Sequence, residues 1–175
     1  MRSVAITLAA VFCFAALIGL TACSDKGESG TELKRFPIET MQGIVDRRKV
    51  DFDNKNSVDG NGSVRLTVYR PTTYRLYETD GIDLENAQLI YRANLRTEKF
   101  EGKAYLEMWC VFDDKGEYFS RDLASPVVGN SDWVREETPF MLKAGENPDK
   151  VRLNLVVEGK GTVWIDNIGL FTAPL

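Results

Sequence analysis

The chain has 175 residues, with 22 Lys and Arg against 26 Asp and Glu for a net charge of −4, three Cys and no His. At 43% hydrophobic and 27% charged it has globular composition and is long enough to bury one core. The acidic balance argues against nucleic acid, whose phosphates need excess positive charge, and the lack of His removes Ser–His–Asp triads, imidazole acid–base chemistry and most zinc sites.

The N-terminus reads as an address. Met1-Arg2-Ser3 is short and basic, and Val4 to Leu20 is an almost unbroken apolar run, on the border between a signal segment and a short membrane span. Leu20-Thr21-Ala22-Cys23 follows. This tetrad resembles the lipobox of bacterial lipoproteins. The resemblance implies cleavage before Cys23 and acylation of Cys23, with an ordinary signal peptide or an uncleaved span as alternatives. Several acyl chains, at about 0.8 kcal/mol per buried methylene, make a durable anchor. In a Gram-negative host, Ser24 after the Cys implies the outer membrane, with the domain in the cell envelope facing the periplasm or the cell surface. Cys13 would leave with the signal and Cys23 would carry lipid, so Cys110 would remain alone and no internal disulfide is expected. Cys110 alternates with Leu106, Met108 and Phe112 and reads as a small buried hydrophobe.

Ser24 to Phe36 is polar, Gly/Ser-rich and charged, a composition that predicts a tether. Glu39 to Val50 has weak helical character and reads equally as a first strand. From there short alternating runs and turn signals predict strands. Val64 to Tyr69 follows the turn-rich Asp59-Gly60-Asn61-Gly62, and Thr73 to Tyr77 follows Pro71. Ala87 to Arg96 turns Leu89, Tyr91, Ala93 and Leu95 to one face, and Ala104 to Phe112 does so with Leu106, Met108, Cys110 and Phe112. After the turn Asp113 to Gly116 come Glu117 to Arg121, Trp133 to Phe140, and Val151 to Glu158 with Val151, Leu153, Leu155 and Val157 inward. Gly159-Lys160-Gly161 is expected to turn the chain into Thr162 to Phe171. About eight strands without an intervening amphipathic helix predict an all-β, antiparallel β-sandwich.

Gly161-Thr162-Val163-Trp164-Ile165-Asp166-Asn167-Ile168 resembles the closing strand of carbohydrate-binding modules with the galactose-binding-like jelly-roll fold. Asp59-Gly60-Asn61-Gly62-Ser63-Val64-Arg65 is similar to their early turn and strand. The resemblance covers about residues 42–173 and implies the jelly roll, while the ligand is open because that fold hosts several kinds of binding. The expected organisation is a signal peptide over 1–22, lipidated Cys and tether over 23–38, and a β-sandwich binding domain over 39–175.

Three predicted strands share an unusual outward face. One carries Arg92, Asn94 and Arg96, the next Tyr105, Glu107 and Trp109, and the penultimate one Arg152, Asn154 and Glu158. Aromatic rings stack on the C–H faces of sugars while Arg, amides and carboxylates take their hydroxyls. The candidate ligand set is therefore Arg92, Asn94, Tyr105, Glu107, Trp109, Arg152 and Asn154. The same face also reads as an ordinary sandwich exterior, in which Arg92, Arg96 and Arg152 pair with Glu107 and Glu158 for about 0.2–1 kcal/mol each. Trp133 reads as a core or rim residue and Trp164 as packing. Tyr74, Tyr77 and the Tyr118-Phe119 pair lie near turns, and nothing in the sequence selects them.

The only metal considered is a structural calcium, which the family resemblance implies at Asp166 and groups near the first strand such as Asp59; turn formation explains Asp59-Gly60 and Asn61-Gly62 equally well. Hydrolysis of a glycoside needs two carboxylates about 5–9.5 Å apart. Glu107 and Glu158 are the only pair considered, and no catalytic motif supports them, so a non-catalytic protein is expected. Two functions stay open: a lipid-anchored glycan-binding module, and an envelope lipoprotein whose same face docks a protein partner. No nucleic-acid partner is expected.

Overall fold

The computed structural model describes residues 30–175. The signal segment and Cys23 lie outside the described residues. Among the described residues there are nine strands: β1 (Thr31–Phe36), β2 (Val50–Asp53), β3 (Ser63–Val68), β4 (Thr72–Asp80), β5 (Ala87–Phe112), β6 (Gly116–Arg121), β7 (Val127–Val128), β8 (Ser131–Leu142) and β9 (Lys150–Ala173). All pair antiparallel, and the architecture is the expected β-sandwich.

Two strands organise everything else. β5 and β9 pair along almost their whole length, from Gln88↔Ala173 to Val111↔Lys150. Each is long enough to serve two layers. The first half of β5 and the second half of β9 form layer one with β1, β2, β3 and β8. The second half of β5 and the first half of β9 form layer two with β4, β6 and β7. The sequence reading divided each of these strands in two. It took Gly159-Lys160-Gly161 as a reversal, whereas the strand continues through it and bends.

Glycine makes the bend. Gly102 stands opposite Gly159, and the register slips between Glu98 and Glu101. A Cβ on Gly102 would lie 2.7 Å from the Cα of Gly159, and one on Gly161 would lie 2.7 Å from the Cα of Phe100. Gly102 and Gly161 also adopt φ of +134° and +135°, which side-chain-bearing residues avoid. No side chain fits between the strands at the crease.

The core lies between the layers. Leu89, Tyr91, Ala93 and Leu95 from layer one meet Leu106, Met108, Cys110, Leu153 and Leu155 from layer two, all fully buried. The alternation read from the sequence put each of these side chains inward, and the buried Cys110 thiol is pushed up to about 12 by desolvation. One parity differs. Asn167, at φ +56°, forms a bulge in β9, so Ile168 and Leu170 turn into the core while Trp164, an even-numbered neighbour, faces out.

Two further expectations change. β1 pairs with β9 over Thr31 to Phe36, so the domain begins inside the segment 23–38 read as tether; Phe36 and Ile38 supply buried anchors that a polar average concealed. Residues 39–49 form turns and bends, neither helix nor strand. They lie against the edge of β4, where the N–H groups of Val45 and Asp46 donate to the carbonyls of Leu76 and Arg75 at 3.0 and 2.9 Å.

The crease predicts a sharp positional effect. Gly102→Ala should lower unfolding free energy by roughly 3 kcal/mol, combining backbone overlap with a disfavoured φ. Gly145→Ala, at φ +76° in open space, should cost only about 1 kcal/mol. Urea titrations of the two variants measure the difference; equal losses would show that the close approach is not the constraint.

Candidate functional site on the outer face of layer two

The outer face of layer two is built in registered rows. Arg75 of β4 stands beside Asn154 of β9, Asn154 beside Glu107 of β5, and Glu107 beside Arg121 of β6. The next row runs Glu78, Arg152, Trp109, Phe119. Side chains of one row point the same way because their strands are in register, and period-2 alternation sends the intervening residues to the core.

Glu107 is the hub. It is only 3% exposed, yet three donors converge on it. Trp109 Nε1 and Asn154 Nδ2 each donate to Oε1 at 2.8 Å, and Arg121 Nε donates to Oε2 at 2.5 Å. Burial alone would raise its pKa, but the hydrogen bonds from Asn154, Trp109 and Arg121 together outweigh it and hold the carboxyl below its ordinary value. Glu107 is thus a fixed carboxylate that orients an amide, an indole and a guanidinium. The half-buried Trp109 ring tilts against Phe119 with centroids 4.9 Å apart, and Arg121 lies 4.3 Å over Phe119.

Asn154 ends this network with an unused acceptor. Its Nδ2 is committed to Glu107, and its Oδ1 is buried with no hydrogen-bond partner among the described residues. A buried acceptor left unpaired costs about 1–3 kcal/mol. Asn154 is 6% exposed overall, but it lines an open groove of about 440 Å³ with Val45, Asp46, Thr73 and Arg75. The groove therefore combines a hydroxyl, a guanidinium, a carboxylate and an amide.

Neighbouring groups are held in ion pairs. Tyr105 donates through its hydroxyl to Glu158 Oε1 at 2.7 Å, and Lys103 pairs with the same carboxylate at 3.1 Å. Arg152 grips Glu117 through two N–H groups at 2.9 and 3.0 Å and faces Glu78 at 3.5 Å. The sequence reading pairs Arg152 with Glu107 or Glu158; the partners are instead Glu78, its registered neighbour on β4, and Glu117 on β6, which lies across β5 and one row along.

Of the seven residues proposed from sequence, Tyr105, Glu107, Trp109, Arg152 and Asn154 share this face. Arg92 and Asn94 do not. They lie before the crease, on the outer face of layer one, because β5 changes layer between them and Tyr105. There Arg92 Nε donates to Glu137 at 3.0 Å and its guanidinium lies 4.1 Å over the Phe171 ring. Asn94 accepts from Asn167 Nδ2 at 3.2 Å. Trp164 is packed beneath Arg96 and donates to Asp53 at 2.9 Å, in keeping with the packing role read for it.

The sequence reading missed Arg75, Thr73, Asp46, Phe119 and Arg121 as members of the face. Phe119 and Arg121 were accessible: the tight turn before Gly116 fixes the β5–β6 register and sets Phe119 beside Trp109. Arg75 had no local signal, since its partner strand begins some 75 residues later.

The residues considered for calcium take part in local hydrogen bonds. Asp166 accepts from the N–H of Val58 and of Asn167, both at 2.6 Å, one on each oxygen. Asp59 accepts from the N–H of Asn61 at 2.8 Å and from its side-chain amide at 3.2 Å. Carboxylates that accept N–H donors on both oxygens serve turns and loop closure. Among the described residues no three of His, Cys, Asp and Glu gather into a metal-sized group.

No protein-family model matches this sequence, and no curated protein matches it. Solved structures do. The CBM22-1 xylan-binding domain from Paenibacillus barcinonensis Xyn10C is 14% identical with a TM-score of 0.59, covering 84% of this chain and 97% of that one. The CBM22-1–GH10 modules of Clostridium thermocellum endo-1,4-β-D-xylanase 10B, in complex with xylohexaose, give 8% identity and a TM-score of 0.61, covering 80% of this chain and 28% of that one. A Stig cyclase from Fischerella sp. TAU is 12% identical with a TM-score of 0.55, covering 81% and 84%. At these identities the likeness establishes the fold.

The hub yields a pH signature. Because the folded Glu107 carboxyl lies below its ordinary value near 4.5, its contribution is present above that value and is lost as pH falls through the lowered one. Glu107→Gln presents an amide where Asn154 and Arg121 need an acceptor. It should cost about 2 kcal/mol at pH 7 and flatten the acid limb of a urea-stability profile between pH 3 and 7. Parallel profiles for the two proteins would refute the hub.

Proposed function

We propose that this protein binds a glycan without cleaving it, across the outer face of layer two. The observation that carries the reading is Asn154, which lines an open groove, is held there by Glu107 and has no hydrogen-bond partner for its Oδ1 among the described residues. Asn154 Oδ1 would accept a sugar hydroxyl proton, Arg75 would donate to ring or hydroxyl oxygens, and the half-buried Trp109 ring would offer a C–H stacking surface. The network preorganises these groups, which lowers the ordering cost of binding. The fold shared with xylan-binding domains supports the same reading.

The arrangement suits holding better than cleaving. Glu107 and Glu158 lie on adjacent strands but four positions out of register, about 13 Å apart along the sheet at ~3.3 Å per residue. Both carboxyls are held below their ordinary values, Glu107 by its three donors and Glu158 by Tyr105 and Lys103, so neither is kept protonated as a general acid requires.

A glycan array probed with the full chain in non-ionic detergent tests the reading. Asn154→Ala and Trp109→Ala should each weaken binding at least about tenfold, with unchanged circular dichroism. Binding to no glycan, or equal binding by all three proteins, would overturn it and favour a protein partner for this face.

The chain is further proposed to be tethered to the cell envelope through acylated Cys23, on the strength of the Leu20-Thr21-Ala22-Cys23 run. In a bacterial host, Cys23→Ser should abolish labelling by palmitate and move the protein from the membrane to the soluble fraction. Unaltered labelling would refute the anchor.

A further inference from the structure

A second pocket adjoins the groove, around the edge of β4. The chain crosses between the layers there. β3 ends in layer one at Val68, Tyr69 to Pro71 span the gap, and β4 starts in layer two at Thr72. The loop carrying Asp46 to Lys49 bridges the same gap, since Asp46 N–H bonds to β4 and the Lys49 carbonyl accepts from Thr67 of β3 at 3.1 Å. Between them lies an open pocket of about 580 Å³. Asp46 lines both this pocket and the groove beside Asn154, so the two adjoin at that residue.

Its chemistry differs from the rest of the molecule. In a chain of net charge −4, this pocket gathers Arg48, Lys49 and Arg70 against one carboxylate, Asp46. Asp46 is already engaged: it accepts from the backbone N–H of Arg48 at 3.2 Å and from its guanidinium at 3.4 Å. Lys49 and Arg70 form no ion pair among the described residues. Lys49 is instead held at φ +60°, a left-handed conformation for which lysine has no preference. That conformation sets its Nζ 4.7 Å over the ring of Tyr69, itself 69% exposed. The ring lies close enough to support the ammonium electrostatically. Tyr74 also lines the pocket, and its pKa is raised chiefly by burial, with the Asp46 charge adding, so its hydroxyl remains neutral.

We infer that this pocket takes an anionic group, a carboxylate or a sulfate ester, on a sugar of the same chain that lies in the groove, and so selects acidic over neutral glycans. The inference rests on the glycan reading above. Lys49 and Arg70 supply unopposed charge, and charge-assisted hydrogen bonds from them would be stronger than the neutral contacts of the groove. Because the two places adjoin at Asp46, one oligosaccharide would reach both.

The test uses matched pairs, with the full chain in non-ionic detergent. Glucuronoxylan and polygalacturonate are each compared with their carboxyl-reduced forms, and a sulfated galactan with its desulfated form, by affinity electrophoresis. Vesicles containing phosphatidylglycerol form a further arm. At least one acidic form should bind about tenfold tighter than its neutral partner, and the advantage should shrink as salt rises. The carboxylate and sulfate arms tell which anion is preferred. In the doubly substituted Lys49→Gln, Arg70→Gln protein, the acid-to-neutral ratio should fall to near one, with circular dichroism reporting an intact fold. Equal binding of acidic and neutral forms, or a preference that survives the double substitution, overturns this inference and leaves the glycan reading standing. A panel with no binder at all overturns both. Charge-dependent binding to the vesicles alone would assign the pocket to a lipid surface and likewise overturn it.

Discussion

The structure depends on one close approach of backbone to backbone. Where Gly102 meets Gly159 the two longest strands bend together without parting. Strand pairing normally resists such a bend, because side chains on the concave side collide and ladder hydrogen bonds are lost. Glycine removes the collision, and the register slip between Glu98 and Glu101 absorbs the extra length. Each strand can then contribute an inward row to both layers of one core. It also follows that residues close in sequence across the crease stand on opposite exteriors of the molecule.

That division sets the character of each exterior. On layer one several polar groups pair locally: Arg92 with Glu137, Trp164 with Asp53, Asp166 with two backbone N–H groups. On layer two the Glu107 network leaves Asn154 Oδ1 buried without a hydrogen-bond partner among the described residues. The placement of carboxyl groups sharpens the contrast. Glu107 is buried among donors and stays charged, whereas Glu136, inward-facing on β8, is pushed up to about 8 by burial and by the nearby Asp122. One buried acid is held as a carboxylate that positions neighbours. The other holds a proton, against an ordinary value near 4.5, and folds most favourably in that neutral form.

Much of this was legible in the sequence, and the limits are physical. Period-2 alternation identified the inward sets of β5 and β9, because burial imposes it on every registered strand. It also grouped Tyr105, Glu107, Trp109, Arg152 and Asn154, which belong to adjacent strands in one layer. It erred on Arg92 and Asn94 because alternation carries no information about a strand changing layer; only the pairing of Gly102 with Gly159 does, and that pairing is 57 positions apart. The same blindness hid the Asn167 bulge, where a single left-handed residue reverses the parity of everything after it. β1 was missed for a different reason. Its residues are nearly all exposed and gain their order from pairing with β9, so composition alone read them as tether.

The position of the groove follows from the edge of layer two. An unpaired strand edge must be covered or blunted to prevent association with other chains. Here the loop before β2 covers β4 with two backbone hydrogen bonds at Val45 and Asp46 and then leaves it. Because the loop shields β4 with only two bonds, its side chains rise beside the sheet and wall the space above Thr73, Arg75 and Asn154. The same residues that protect the edge thus create the concavity. Strand register fixes the floor, at Asn154 and Glu107, and the loop supplies the wall, at Val45 and Asp46. A floor fixed by strand register beneath a wall made by a loop is an arrangement in which ligand preference can change through the loop while the fold stays constant.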